Sequence, residues 1–348
     1  MAGSSHAQTM DTPLAPSDKV VNEQASSAEQ EVLPEAPSVI LDEPVLDPTQ
    51  LSPPLPNMGE SMRPMAPQGS PLILLSTKVP PATSTRLAWS PRQSLEGIAM
   101  PSPVLVVNGA KHGPVLCLTA ALHGDELNGI EIVRRVLYNI DPEQLTGAVI
   151  GVPIVNLQGF HRSSRYLTDR RDLNRYFPGN PTGSSAGRIA YSFFNHVISH
   201  CDALVDLHTG SFHRTNLPQL RADLNNPEVL LLTQGFGATV ILHSEGGVGT
   251  LRRAAVDAGI PAVTLEAGGP MKLQESAVEH GVKGIRSLLN QMGMLRKVSL
   301  WPGSEPVFLR SMWVRADQGG ILFSAVELGD NVDAGDVLGT VTDPITNV

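Results

Sequence analysis

Four short segments of this 348-residue chain hold residue types that can do chemistry, and each sits where an apolar run ends. The first is His123-Gly124-Asp125-Glu126, directly after the run Val115 to Ala120. A histidine and a glutamate three apart in a tight turn can aim a ring nitrogen and a carboxylate at one cation. The second is His208, directly after the apolar run Ala203 to Leu207. Two histidines and one glutamate, with a fourth position left to water, make a catalytic zinc set. Neither segment is specific alone, since a His-x-x-Glu arises by chance and a lone histidine after a strand is most often a hydrogen-bonded structural residue.

The third segment is Asp172-Leu173-Asn174-Arg175-Tyr176-Phe177-Pro178-Gly179, preceded by Arg165-Tyr166. A guanidinium beside an amide can receive a carboxylate through paired, charge-assisted hydrogen bonds. The fourth is Thr264-Leu265-Glu266-Ala267-Gly268-Gly269, an acid at the end of an apolar run among small neighbours. A carboxylate there can take a proton from an attacking water and pass it to a leaving amine. Taken singly, the arginine reads more readily as a surface loop charge, and the glutamate at least as readily as a helix cap or loop residue.

The elements that must position these groups follow from hydrophobic pattern. Leu72 to Leu75, Val104 to Val107, Val115 to Ala120, Ala148 to Val155, Ala203 to Leu207, Ala238 to His243 and Ile260 to Leu265 are short apolar runs bounded by Pro, Gly, Asn or Asp. Such runs read as buried strands. Asn128 to Leu137, Ser185 to Ser199, Leu230 to Phe236, Thr250 to Ala258 and Val278 to Met292 read as helices. The alternation predicts an α/β domain, a mixed and largely parallel sheet with helices on both faces. An open sheet of that kind places its ligands just past the strand ends, where all four segments fall. After about Lys297 the helices stop. Val307 to Val314, Gly320 to Phe323 and Val337 to Val341 predict a small C-terminal all-β module. The expected organisation is therefore an acidic, Pro-rich extension at 1–65, a catalytic domain at 66–299 and the β module at 300–348.

Charge supports this division. The whole net charge of −9 falls within residues 1–60, which hold ten acids, one base, nine prolines and no aromatic residue. Such a segment cannot bury enough apolar surface to offset its ordering entropy and reads as disordered. The remainder is neutral, with no basic field to collect phosphates, so no nucleic-acid partner is expected. No apolar run is long enough to span a bilayer and no secretory signal is visible. Cys117 and Cys201, both in apolar stretches, read as buried free thiols, which makes cytoplasm the expected compartment.

Together the four segments resemble the succinylglutamate desuccinylase/aspartoacylase family, within the carboxypeptidase A-like zinc hydrolase superfamily. The resemblance runs from about residue 71 to 348 and includes Asn108-Gly109, Gly113-Pro114, His123 to Glu126, Asp172 to Gly179, Asp206 to Gly210 and Ile260 to Gly269. It implies a zinc carboxypeptidase-like fold and one Zn2+ per subunit on His123, Glu126 and His208. It further implies Asn174 and Arg175 holding a substrate carboxylate, Glu266 acting as general base and then acid, and Arg165 polarising the scissile carbonyl. Compared with the family's pattern, two extra residues lie between Arg165 and Asp172, so Arg170 and Arg171 are rivals for that role. The implied activity is hydrolysis of the amide bond of a small N-acyl amino acid. A zinc carboxypeptidase acting on peptides is the alternative, because it would use the same ligands. A homo-oligomer is compatible with the sequence, and the acyl group and amino acid are not specified. The C-terminal module resembles a biotinyl/lipoyl-type hairpin domain, but Lys297 is the last lysine of the chain, so it lacks an attachment residue and reads as a structural or gating cap.

Overall fold

The structure is a computed structural model that describes residues 69–91, 101–296 and 306–345. The acidic extension expected at 1–65 lies outside them. The chain opens with a small antiparallel pair, β1 (Leu72–Leu74) and β2 (Thr77–Val79), followed by β3 (Thr83–Trp89), β4 (Ser102–Asn108) and β5 (Lys111–Ala120). Helix α1 (Asn128–Tyr138), β6 (Thr146–Val152), α2 (Leu157–His161), α3 (Ser185–His196) and β7 (Ala203–His208) come next. They are followed by β8 (Asn216–Ala222), α4 (Pro227–Gln234), β9 (Val240–His243), α5 (Leu251–Asp257), β10 (Ala262–Gly268) and α6 (Glu275–Gln291). The described chain closes with β11 (Val307–Phe308), β12 (Ile321–Ser324) and β13 (Gly339–Thr342).

Nine strands form one mixed sheet in the order β11-β9-β8-β10-β7-β5-β6-β4-β3. The inner strands β5, β6, β7 and β10 pair in parallel, as expected of near-continuous apolar runs covered on both faces. Strands β3 and β4 at one edge run antiparallel, and β8 runs antiparallel to β10. Against one face pack Ile132, Val133 and Val136 of α1, Val229 of α4, and Ile285, Leu288 and Leu289 of α6. Against the other pack Ile189, Ala190 and Phe193 of α3 and Leu251, Ala254 and Ala255 of α5. The α/β architecture with helices on both faces is thus as the sequence implies. The small β elements near the C-terminus are present too, with β12 and β13 forming an antiparallel hairpin. Strand character at 307–314 is confined to Val307 and Phe308, which extend the main sheet beside β9.

One expectation is overturned. Cys117 and Cys201 are joined in a disulfide rather than held as free thiols. Cys117 lies on β5 and Cys201 just ahead of β7, its parallel neighbour. This brings their Cα atoms to 5.7 Å, well inside bridging range. The compartment argument that rested on free thiols loses its basis. Among the described residues, no helix is long and apolar enough to cross a membrane.

Candidate active site

The site grows out of the ends of three parallel strands. Chain leaving β5 makes the turn His123 to Glu126, closed by the Glu126 N–H donating to the His123 carbonyl, before α1 begins. Gly124 is required there, because a Cβ would collide with the backbone of Gly159 and Phe160 in α2. His208 is the last residue of β7, and Glu266 lies beside it near the end of β10.

His123, Glu126 and His208 are all buried, Glu126 to 1% exposure, and they offer donor atoms within 4.8 Å of one another. His123 Nδ1 lies 2.8 Å from Glu126 Oε1, and His208 Nδ1 lies 2.8 Å from Glu126 Oε2. Each remaining ring nitrogen faces a carboxylate: His123 Nε2 is 3.1 Å from Asp172 Oδ1, and His208 Nε2 is 2.7 Å from Asp206 Oδ2. Asp206 is itself fixed by the Thr119 hydroxyl, which donates to Oδ1 at 2.7 Å. This is the arrangement that sets the tautomer and orientation of a metal-ligating imidazole. The donor set therefore fits a divalent metal bound through two Nδ1 atoms and one carboxylate, with the chemistry of a catalytic zinc site. The places of Asp172, Asp206 and Thr119 in the site are not revealed by the sequence, because only the fold brings the two carboxylates to the ring nitrogens and Thr119 to Asp206.

Electrostatics match that geometry. Burial opposes charge on His123, but Glu126 and Asp172 more than offset it and raise its pKa. His208 is raised further, burial again being outweighed by Asp206 and Glu126. Burial would raise Glu126 and Asp172, yet the adjacent imidazoles hold both carboxyls well below the ordinary range, with Arg165 adding to the effect on Asp172. Glu266 has no direct charge partner within hydrogen-bond reach, and burial raises its pKa.

Of the three candidate arginines, Arg165 alone reaches the centre. Its Nη1 donates to Ser211 Oγ at 2.7 Å and Glu126 Oε1 at 3.3 Å, and its Nη2 donates to Asp172 Oδ2 at 2.9 Å. Arg171 is instead paired with Asp169 on the surface, and Arg170 is exposed. Asn174 spends its side-chain oxygen on the Leu251 N–H at the start of α5, which leaves its Nδ2 to donate. Arg175 is 56% exposed, with Nη1 donating to the Asn174 carbonyl and Nη2 3.9 Å from Asp172 Oδ2. The two residues thus stand at the rim, beside the carboxylate that orients His123.

Known proteins are similar to this chain in sequence and fold. The chain is 29% identical over 275 residues to the N-alpha-acetyl-L-2,4-diaminobutyric acid deacetylase of Halomonas elongata, covering 76% of this chain and 78% of that one. A crystal structure of a succinylglutamate desuccinylase/aspartoacylase from Rhodobacter sphaeroides superposes with a TM-score of 0.65 at 26% identity, covering 74% of this chain and 82% of the other. The product-bound ectoine utilization protein EutE (DoeB) of Ruegeria pomeroyi gives 0.65 at 25% identity over 80% and 88%. The model of the succinylglutamate desuccinylase/aspartoacylase catalytic domain matches residues 112–292, from within β5 to the end of α6. That span contains every ligand-competent, orienting and rim residue described above, and the chain belongs to this family of deacylases.

Proposed function

We propose that this deacylase is a zinc enzyme that hydrolyses the amide bond of a small N-acyl amino acid, with one Zn2+ per chain held by His123 Nδ1, Glu126 and His208 Nδ1. The observation that carries the reading is the convergence of these three buried donors beside Glu266. Zinc bound there supplies Lewis-acid chemistry to the scissile carbonyl and the attacking water. Glu266 takes the proton of that water on its carboxylate and returns it to the leaving amine nitrogen, a role suited to a part-buried carboxyl of raised pKa. The Arg165 guanidinium, 3.3 Å from Glu126, donates to the substrate carbonyl oxygen as charge develops there. At the rim, Arg175 and the Asn174 amide receive the substrate carboxylate.

N-Acetyl amino acids, among them the acetyl-diaminobutyrate named for the Halomonas relative, are the first substrates to try. The β module at 300–348 acts as a cap rather than a carrier arm. The guanidinium of Arg214, in the loop that follows His208, lies over the Trp313 ring, 5.3 Å from its centre. The deciding experiment is a screen of N-acetyl and N-succinyl amino acids beside a panel of C-terminal dipeptides, scored by released primary amine, with bound metal measured on the same sample. Turnover of N-acyl amino acids with about one zinc per chain is the expected result. Preferential release from the dipeptides would make the chain a carboxypeptidase and overturn the reading.

A further inference from the structure

Strand β8 lies next to β10, and two of its polar side chains reach the Glu266 carboxylate. Asn216 donates from Nδ2 to Glu266 Oε2 at 2.9 Å. Arg221 Nε lies 3.6 Å from Glu266 Oε1, an ion pair too long to be a hydrogen bond. Arg221 Nε is buried and has no hydrogen-bond partner among the described residues. Neither placement is accidental to the fold. Thr264 pairs with Arg221 and Glu266 with Gln219, but the register then shifts so that Gly268 pairs with Asn216. The bulge contains Pro218, which cannot donate to a ladder and is tolerated at such irregularities. A β-bulge re-aims the side chain beside it, and here it turns Asn216 onto Glu266.

The two contacts treat the two carboxylate oxygens differently. Oε2 is anchored by a hydrogen bond, whereas Oε1 accepts none among the described residues and has the Arg221 guanidinium as its ion-pair neighbour. A further cation, Arg252, is tied to the Ser244 carbonyl and hydroxyl. Its pKa is pushed down to about 10, first by burial and then by repulsion from Arg221. Arg221, whose side chain is partly exposed, is thus attracted by the Glu266 carboxylate and repelled by Arg252.

We propose that Asn216 and Arg221 are positioning residues for the base. Asn216 pins Oε2 and fixes the plane of the Glu266 carboxylate. Arg221 sets its guanidinium beside Oε1 without donating to it, so that oxygen stays open to take the proton. The proposal rests on Glu266 being the base and extends that reading to two residues on a different strand.

The test compares Asn216→Ala and Arg221→Ala with Glu266→Gln, alone and combined, in the zinc-loaded enzyme. Losing a hydrogen bond or ion pair to a charged group predicts a fall in kcat of about 10- to 100-fold for each β8 variant. KM, zinc content and the Kd for a non-hydrolysable substrate analogue should stay within about twofold. Added guanidinium ion should restore part of the kcat lost in Arg221→Ala, which a purely structural defect would not allow. In the Glu266→Gln background neither β8 substitution should cost anything more. A raised KM with normal kcat would make these residues substrate readers and overturn the proposal, as would losses that add to that of Glu266→Gln. If Arg221→Ala does not fold, Arg221→Lys and Asn216→Ala carry the same comparison. Near-normal turnover by Glu266→Gln would overturn the base assignment itself. An inactive Glu266→Gln beside unaffected β8 variants would overturn only the clamp.

Discussion

His123 Nδ1 and His208 Nδ1 lie 3.2 Å apart, each turned to a different oxygen of the same Glu126 carboxylate. With both imidazoles raised in pKa by their carboxylate neighbours, the metal-free centre holds protons where the metal must bind. Protonation dominates below the raised pKa values and disappears as pH climbs through them, so metal affinity should rise with pH. With two protons displaced, the gain approaches about 100-fold per pH unit on the acid side. Calorimetry in buffers of different ionisation enthalpy should record proton release on zinc uptake, and an affinity flat from about pH 5.5 to 8 would contradict this.

The orienting carboxylates give a second prediction. Asp206 accepts from His208 and from Thr119, so Asp206→Asn removes a charge that fixes the ring without removing a ligand. Zinc affinity should fall by about 10- to 100-fold while the fold persists. Competition with a chromophoric chelator reads the affinity directly, and an unchanged value would detach Asp206 from the centre.

Glu126 and Glu266 should separate cleanly. Glu126→Ala removes one of three converging donors and should lose metal and activity together. Glu266→Gln should keep the metal and analogue binding while kcat falls by about 10²–10⁴-fold, the usual cost of a missing proton acceptor. Metal content and kcat measured on both variants check it, and zinc loss from Glu266→Gln would be the contrary result.

Arg175→Lys keeps the charge and loses the planar two-pronged donor. The value of kcat/KM for a free-carboxylate substrate should fall by about 10- to 100-fold, while the amidated analogue should be affected far less. Equal losses on both would place the substrate carboxylate elsewhere.

The metal donors were legible in the sequence because an apolar parallel strand announces itself, and His123, Glu126, His208 and Glu266 sit at or just past the ends of such strands. Strand β8 was not, for the opposite reason. Asn-Leu-Pro-Gln-Leu-Arg-Ala spends its polar positions on the site, and Pro218 reads as a breaker, so the pattern that hides the strand is the one that serves Glu266. Strand β3, at the sheet edge, alternates exposed and partly buried residues with too few apolar positions to register. The Cys117–Cys201 bridge was misread because the two residues are 84 apart in sequence and only the pairing of β5 with β7 brings them together.

That bridge also changes the arithmetic of assembling the metal centre. Along the backbone His123 and His208 are 85 residues apart. Through the bridge the path is six residues from Cys117 to His123 and seven from Cys201 to His208. Loop-closure entropy grows as about three-halves of RT times the logarithm of loop length, so the shorter path lowers the cost of bringing the two imidazoles together by about 1.6 kcal/mol. Arg165, Asp172, Asn174 and Arg175 all lie inside the closed loop. An oxidised chain that has lost its tertiary packing still keeps the two halves of the centre within a short tether of each other, whereas a reduced chain must find them across the full span.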